Sequence, residues 1–364
     1  MEQACRHAGW CGVPGRYRAR NRLGGAPEWA TFLDDETTCR TRSPPRESPP
    51  AVQTAFTSFS DNRDGIRDAY AEMWGHMVRR LGDRPGFVGY DLMNEPFPAA
   101  ADPDTETAST DFVLDVIDEI RAAEAEVGRQ ESPIFLEPMV LAPSPGNQVQ
   151  IDRFTDRNLV YSPHVYPFGG ISAEAVFSAH SSTADDLGLP LWIGEYYLGA
   201  DTTEKIEKTA DLLDVMDDQL ANWVWWTWQV ACGDPHFVQD RSKSAEEHLQ
   251  ASTRSHLMIT DCPSGDHEPN TKALELVNRG YPRAAPGTIT NIDSDPQAGT
   301  LTVGAADAEV GEELVAWLPP SSGTDPHVEA SSGLENVVVT EAPGGAVLIA
   351  TTTADTYELV VTPE

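Results

Sequence analysis

The fold turns on Phe87-Val88-Gly89-Tyr90-Asp91-Leu92-Met93-Asn94-Glu95-Pro96. A dense apolar run of strand length, with no polar alternation, reads as a strand buried on both faces, and this one stops abruptly at Asn94-Glu95. Four later runs repeat the design: Ile134-Phe135-Leu136, Leu159-Val160-Tyr161, Leu191-Trp192-Ile193 and Trp223-Val224-Trp225-Trp226. Before and between them lie segments whose apolar residues recur three and four apart, as on one helix face. Ile66, Tyr70, Met73, Trp74, Met77, Val78 and Leu81 form one stripe; Phe112, Val113, Val116, Ile117 and Ile120 form a second; Ile206, Ala210, Leu213, Val215, Met216 and Leu220 form a third. Doubly buried strands alternating with helices are parallel βα units, hence an α/β fold.

Each apolar run gives way to polar residues: Asn94-Glu95, Glu137, His164 with Tyr166, Glu195, and Gln229 after the tryptophans. Residues at the C-terminal ends of parallel strands converge on one face of a (β/α)8 barrel, where such barrels place their active sites. An open doubly wound sheet also collects residues at strand ends, but it usually carries a glycine-rich phosphate loop, and neither GxGxxG nor GxxxxGK[ST] occurs here. The reading is a (β/α)8 TIM barrel.

Composition narrows the function. Against 25 Lys+Arg stand 58 Asp+Glu, a net charge of −33. Such a surface repels phosphate backbones and anionic lipid heads, which argues against nucleic acid and membrane-surface partners. Its plainest reading is a hydrated, soluble surface. No apolar run is long enough for a transmembrane segment. Residues 1–50 differ from the rest, with eight Arg and six acidic residues for a net of +2, and six prolines. Three of the five cysteines (Cys5, Cys11, Cys39) fall there; Cys232 and Cys262 are free thiols or a pair, and no spacing resembles a zinc site.

After Tyr281-Pro282-Arg283 the helical stripes end. Short β-rich runs follow (288–292, 300–303, 314–318, 337–340, 347–351, 357–361), divided by Gly, Pro, Asp and Ser, as in a small all-β sandwich. The expected division is an irregular segment over 1–50, a catalytic barrel over 51–283 and a β-sandwich over 284–364.

Two glutamates at strand ends, Glu95 and Glu195, among Asn, His, Tyr and Trp point to glycoside hydrolysis. That reaction needs one carboxylic acid to protonate the leaving oxygen and one carboxylate to attack or assist at the anomeric carbon. Indole faces such as Trp226 suit sugar rings, and Asn94 and His164 bond hydroxyls. Taken singly, each residue has a plainer explanation: a solvated glutamate, a structural histidine, tryptophans in the core. The conjunction at successive strand ends is what favours catalysis.

Gly89–Pro96 resembles the Asn-Glu-Pro signature of glycoside hydrolase family 5. Ser162-Pro163-His164-Val165-Tyr166 is similar to that family's sixth-strand His-x-Tyr, Ile193-Gly194-Glu195-Tyr196 to its seventh-strand nucleophile motif, and Trp225-Trp226-Thr227-Trp228 to its eighth-strand aromatic motif. Gly25-Ala26-Pro27-Glu28-Trp29-Ala30, and Gly280-Tyr281-Pro282-Arg283 leading into a small sandwich, resemble the endoglycoceramidase-like branch. The resemblance implies a retaining mechanism with Glu195 as nucleophile and Glu95 as acid/base, their carboxylates about 5–5.5 Å apart. It further implies that Asn94 bonds the sugar 2-hydroxyl, His164 lies against the sugar, Tyr166 holds the nucleophile and Trp226 floors the sugar site. Glu137-Pro138 matches a Glu-Pro of the family pattern and reads as supporting rather than catalytic. No metal or organic cofactor is implied. The implied substrate is a carbohydrate or glycolipid, with a glycosylceramide-type β-glucoside ahead of a β-glucan.

A barrel with Asn94-Glu95 on its fourth strand needs three earlier strands, and residues 1–50 offer no apolar run of strand length. The family's third-strand Asp-x-His motif has no counterpart. The expectation is therefore a barrel incomplete at its N-terminus, from a truncated or frame-disrupted start, with an exposed strand edge. Family resemblance implies export of the intact product, although the N-terminus shows no signal peptide. A non-catalytic or sugar-binding fragment is the alternative of another class.

Overall fold

All five apolar runs contribute parallel strands, but burial on both faces does not hold for all: Ile134–Leu136 is buried throughout, whereas Val88 of the first run and Val224 of the last are exposed. The structure, a computed structural model, describes residues 28–32, 34, 50–81, 84, 86–96, 105–139, 149–167, 170–196, 198–200, 202–230, 256–261, 264–323, 326–330 and 333–363. All five cysteines and most of the irregular segment expected over 1–50 lie outside them. Among the described residues no strand precedes Tyr90, and no helix is long and apolar enough to cross a membrane.

Two units can be distinguished. One extends to Pro163 and takes in Ala179–Leu191; the other comprises His164–Ser178 and Trp192–Glu364.

In the first unit, helices α1 (Pro50–Ser60), α2 (Ile66–Leu81) and α3 (Thr105–Glu126) accompany strands β1 (Tyr90–Asp91), β2 (Ile134–Leu136) and β3 (Leu159–Tyr161). The strands run parallel in the order β1-β2-β3, with Tyr90 opposite Ile134 and Ile134 opposite Leu159. Gly89 permits the first pairing: a Cβ there would stand 2.4 Å from the Pro133 carbonyl oxygen and 2.6 Å from the Phe135 ring. The core joins Val78 of α2, Val116, Ile117 and Ile120 of α3, and Tyr90, Ile134 and Leu159 of the strands. The second predicted stripe is thus the buried face of α3. The first stripe is only partly so, because Met73, Met77 and Leu81 are exposed while Ala71 and Val78 are buried. Ile66 and Val78 of the stripe are buried and Tyr70 and Trp74 pack against the core, so spacing located the helix and part of its inward face.

A buried carboxylate braces this unit. Glu124 of α3 accepts from the Tyr90 hydroxyl at 3.0 Å, the Ser132 N–H at 2.9 Å and Arg121 at 2.6 Å, and Arg121 also donates to Asp156 at 2.6 Å. Its donors offset the cost of removing the charge from water.

In the second unit, β4 (His164–Val165), β5 (Trp192–Tyr196) and β6 (Asn222–Trp225) form a parallel sheet in that order. Between β4 and β5 the chain forms helix α4 (Ala173–Leu187), of which the part from Ala179 on belongs to the first unit, and α5 (Thr203–Asp218) connects β5 to β6. Thr202 caps α5 by accepting the Lys205 N–H at 3.3 Å. Thr209, Leu212, Leu213 and Met216, at spacings of three and four, bury its inner face. A hairpin, β7 (Met258–Thr260) and β8 (His267–Pro269), and a short helix α6 (Thr271–Val277) follow.

The C-terminal sandwich is built of two four-stranded antiparallel sheets. One orders β10 (Thr288–Asp295), β11 (Thr300–Ala306), β16 (Tyr357–Thr362) and β13 (His327–Ala330); the other orders β14 (Leu334–Ala342), β15 (Gly345–Thr352), β12 (Glu313–Leu318) and β9 (Tyr281–Ala284). Leu301, Val303 and Leu359 of the first sheet meet Leu314, Leu318 and Leu348 of the second in one core. All six predicted runs are strands. Two further strands join them, and β9 lies across the boundary expected at 283/284.

Arg279, between α6 and β9, ties α5 to the sandwich. Its Nη2 is shared among Asp214 at 2.9 Å, Asp217 at 2.8 Å and the Ser294 carbonyl. Burial raises the Asp217 carboxyl to about 6, outweighing the lowering effect of the Arg279 guanidinium. The folded state thus holds the proton more tightly than the unfolded chain does. The stability from this group is complete below about pH 4 and is lost as pH rises through about 6, by about 3 kcal/mol in all. Chemical denaturation of wild type and Asp217→Asn at pH 4 and pH 7 checks this. The stability difference, wild type minus variant, is expected to fall by about 2 kcal/mol over the interval.

Candidate active site

Parallel pairing carries His164 opposite Glu195 and Val165 opposite Tyr196. On the other edge of β5, Ile193 faces Trp223 and Tyr196 faces Trp225, so three steps along β5 match two along β6. The extra residue is a bulge at Gly194-Glu195, a device that redirects a side chain at a strand end. The Glu195 carboxylate is then held on one oxygen: the Tyr166 hydroxyl donates to Oε2 at 2.8 Å, and His164 Nδ1 stands 3.3 Å from the same atom. Both Glu195 and His164 are largely shielded from water. A phenol donor on a carboxylate favours its charged form and fixes its orientation.

Trp226 directly follows β6, and its N–H donates to the Tyr196 carbonyl at 3.0 Å. Strand alternation divides the tryptophans: Trp223 and Trp225 pack edge-on against the buried Tyr196 ring, with centroids 5.5 and 5.4 Å away, whereas Trp226 and Trp228 are 45% and 60% exposed. The following backbone is pinned by the Thr227 N–H to His256 Nδ1 at 3.4 Å and the Met258 N–H to the Trp228 carbonyl at 2.8 Å. Burial drives the Tyr196 phenol well above its usual range, so it stays neutral among the indoles.

Asn94 and Glu95 belong to the other unit, at the exit of β1. Glu95 adopts a left-handed backbone, φ 44°, which for a non-glycine residue costs on the order of 1–3 kcal/mol. Two anchors hold the turn. Upstream, the Leu92 carbonyl accepts from the Tyr70 hydroxyl at 2.8 Å and from Trp74 Nε1 at 3.3 Å. Downstream, the Glu95 N–H donates to Glu137 Oε2 at 2.6 Å. Burial, reinforced by the carboxylates of Asp91 and Glu137, raises the Tyr70 phenol, which keeps it a donor. Asn94 is exposed.

Glu195, His164, Tyr166 and Trp226 therefore share one unit, the first three in direct contact, while Asn94 and Glu95 share the other. Sequence reasoning missed Tyr70 and Trp74, which it counted as apolar stripe. Their polar tips were the available signal, since a buried phenol or indole usually finds an acceptor. It also missed the bulge, whose signal is Gly194 inside an otherwise apolar strand.

Comparison with known proteins identifies the family. A family model, Cellulase (glycosyl hydrolase family 5), matches residues 51–231. An endoglycoceramidase of Cyanea nozakii is 25% identical over 191 residues, 49% of this chain and 37% of that protein. An endoglycoceramidase of Hydra vulgaris is 40% identical over 47 residues, 13% of this chain and 9% of that protein. The chain thus spans well under half of these curated relatives. The crystal structure of endogalactoceramidase is 30% identical with a TM-score of 0.78, over 93% of this chain and 71% of that one. Endo-glycoceramidase II from Rhodococcus sp., as its lactosyl-enzyme intermediate, is 22% identical with a TM-score of 0.70, over 93% of this chain and 74% of that one, and bears on the fold alone. The fold is that of the (β/α)8 barrel enzymes. On the family model over residues 51–231 and the 30% identity to endogalactoceramidase over 71% of that chain, this chain belongs to glycosyl hydrolase family 5.

Proposed function

We propose that this protein is a retaining β-glycosidase acting on a glycolipid-type β-glycoside with a hydrophobic aglycone. Glu195 attacks the anomeric carbon and the bond to the aglycone oxygen breaks as Glu95 gives that oxygen its proton. Water then attacks the glycosyl-enzyme, losing its proton to Glu95, and the sugar leaves with its configuration kept. Tyr166 and His164 orient the nucleophile, Asn94 bonds the sugar 2-hydroxyl, and Trp226 lies under the ring. The observation that carries the reading is the Glu195 carboxylate, held on Oε2 by Tyr166 at a bulged strand end. The substrate class is supported by the endoglycoceramidases and endogalactoceramidase to which the chain is similar.

The family's cellulase description favours a second reading, an endo-β-glucanase built on the same two glutamates. Hydrolysis of fluorescent glucosylceramide and of a soluble β-glucan by the purified chain separates the two. The expected result is preference for the glycolipid, with the β-anomer appearing first by proton NMR. First appearance of the α-anomer would refute retention, and preference for the glucan would select the second reading.

A further inference from the structure

Glu95, with two proton transfers to make, departs from a turn just past the end of β1. The Glu95 main chain is left-handed, φ 44°, a conformation that side-chain-bearing residues seldom adopt unaided. The Glu95 N–H donates to Glu137 Oε2 at 2.6 Å, across 42 residues of chain. That is a short contact for a nitrogen donor on a carboxylate oxygen.

Strand register explains why Glu137 is there. β1 and β2 are parallel, with Asp91 opposite Phe135. β1 ends at Asp91 and β2 one residue past Phe135, and the first polar residue after β2 meets the turn after β1. On the near side of the turn, Tyr70 and Trp74 hold the Leu92 carbonyl. The two residues between these anchors are Met93 and Asn94. The turn is therefore clamped at both ends, and Glu137 supplies the clamp on the reacting residue itself.

We infer that Glu137 is a positioning residue for Glu95: its carboxylate fixes, through the Glu95 main-chain N–H, the backbone from which the acid/base side chain departs. The inference rests on the proposed role of Glu95 and deepens it. Glu137 acts through Glu95 alone and transfers no proton. Losing it misplaces the acid/base while leaving the Glu195 clasp intact, so only steps that need proton transfer suffer.

Leaving-group dependence tests this. An octyl β-glucoside needs its departing oxygen protonated; a 2,4-dinitrophenyl β-glucoside does not. In Glu137→Ala, kcat/KM is expected to fall about 100-fold on the octyl substrate, the scale of a misplaced catalytic group, and to stay within about 3-fold of wild type on the dinitrophenyl one. Glu137→Gln, which keeps an acceptor for the Glu95 N–H, should restore most of the octyl activity. Glu137→Met, similar in volume but without an acceptor, repeats the test should the alanine variant not fold, with thermal melting as the folding readout. Equal losses on both substrates, no loss on either, or no rescue by Gln would overturn the positioning role while leaving the proposed function standing. A wild-type chain that cleaves neither glucoside would overturn both.

Discussion

Glu195→Gln is expected to reduce hydrolysis of a chromogenic β-glucoside by roughly 10⁵-fold, the scale on which removal of a nucleophile is felt. The amide has no anionic oxygen to attack the anomeric carbon. It does retain a carbonyl that accepts the Tyr166 hydroxyl, which in the parent donates to Oε2 at 2.8 Å. The fold around the bulge should therefore survive, with melting within a few degrees of wild type. Steady-state assay and thermal melting on one preparation check both statements. Residual activity within about 10-fold of wild type would remove Glu195 from the mechanism.

The second large effect is on stability. Arg279→Ala is expected to cost about 3–5 kcal/mol, because it leaves Asp217 and the Ser294 carbonyl buried without their cation. The parent side chain is only 4% exposed, so water does not take its place without repacking α5 against β10. Urea denaturation followed by tryptophan fluorescence measures the loss. Lysine at 279 should recover part of it, since one nitrogen, Nη2, meets all three acceptors in the parent and an ammonium offers three N–H donors on one atom. Adding Asp217→Asn to Arg279→Ala should return part of the stability by removing the buried charge left behind. If the double variant is no more stable than Arg279→Ala, the electrostatic account fails and the loss is one of packing.

Much of the fold was legible in the chain because its signals are local. A doubly buried parallel strand is a contiguous apolar run, and those at 134–136 and 159–161 coincide with β2 and β3 to the residue. Sandwich strands announce themselves through apolar runs separated by Gly, Pro and Asp, and all six predicted runs are strands. The two strands that were missed carry weak signals: β9 contains Pro282 and Arg283, and β13 is the four residues His327–Ala330. In α2 the spacing identified the helix but only part of its face, since Met73 and Met77 are exposed while Gly75, too small to register as apolar, is buried against α3.

At the site, residue types and order were legible, contacts less so. Glu195 with His164 and Tyr166 could be named because each ends an apolar run. That Tyr166 and His164 meet the same carboxylate oxygen follows from the β4–β5 register and the Gly194-Glu195 bulge, neither of which leaves a periodic trace. Glu137 could be placed at a strand end, but its bond to the Glu95 amide depends on how β1 and β2 align. Tyr70 and Trp74 had the right spacing for a core stripe and turned out to serve the Leu92 carbonyl as well.

By itself the sequence determined the alternation of strands and helices, the sandwich that follows them, and the identities of the polar residues at strand ends. All of these depend on neighbours a few positions away, where periodicity and turn chemistry act. Tertiary structure alone decided which oxygen Tyr166 holds, that Glu95 takes a left-handed backbone against Glu137, and that Arg279 joins α5 to β10. Those outcomes join groups tens of residues apart, and a hydrogen bond requires register correct to a fraction of a residue, which only the packed chain supplies.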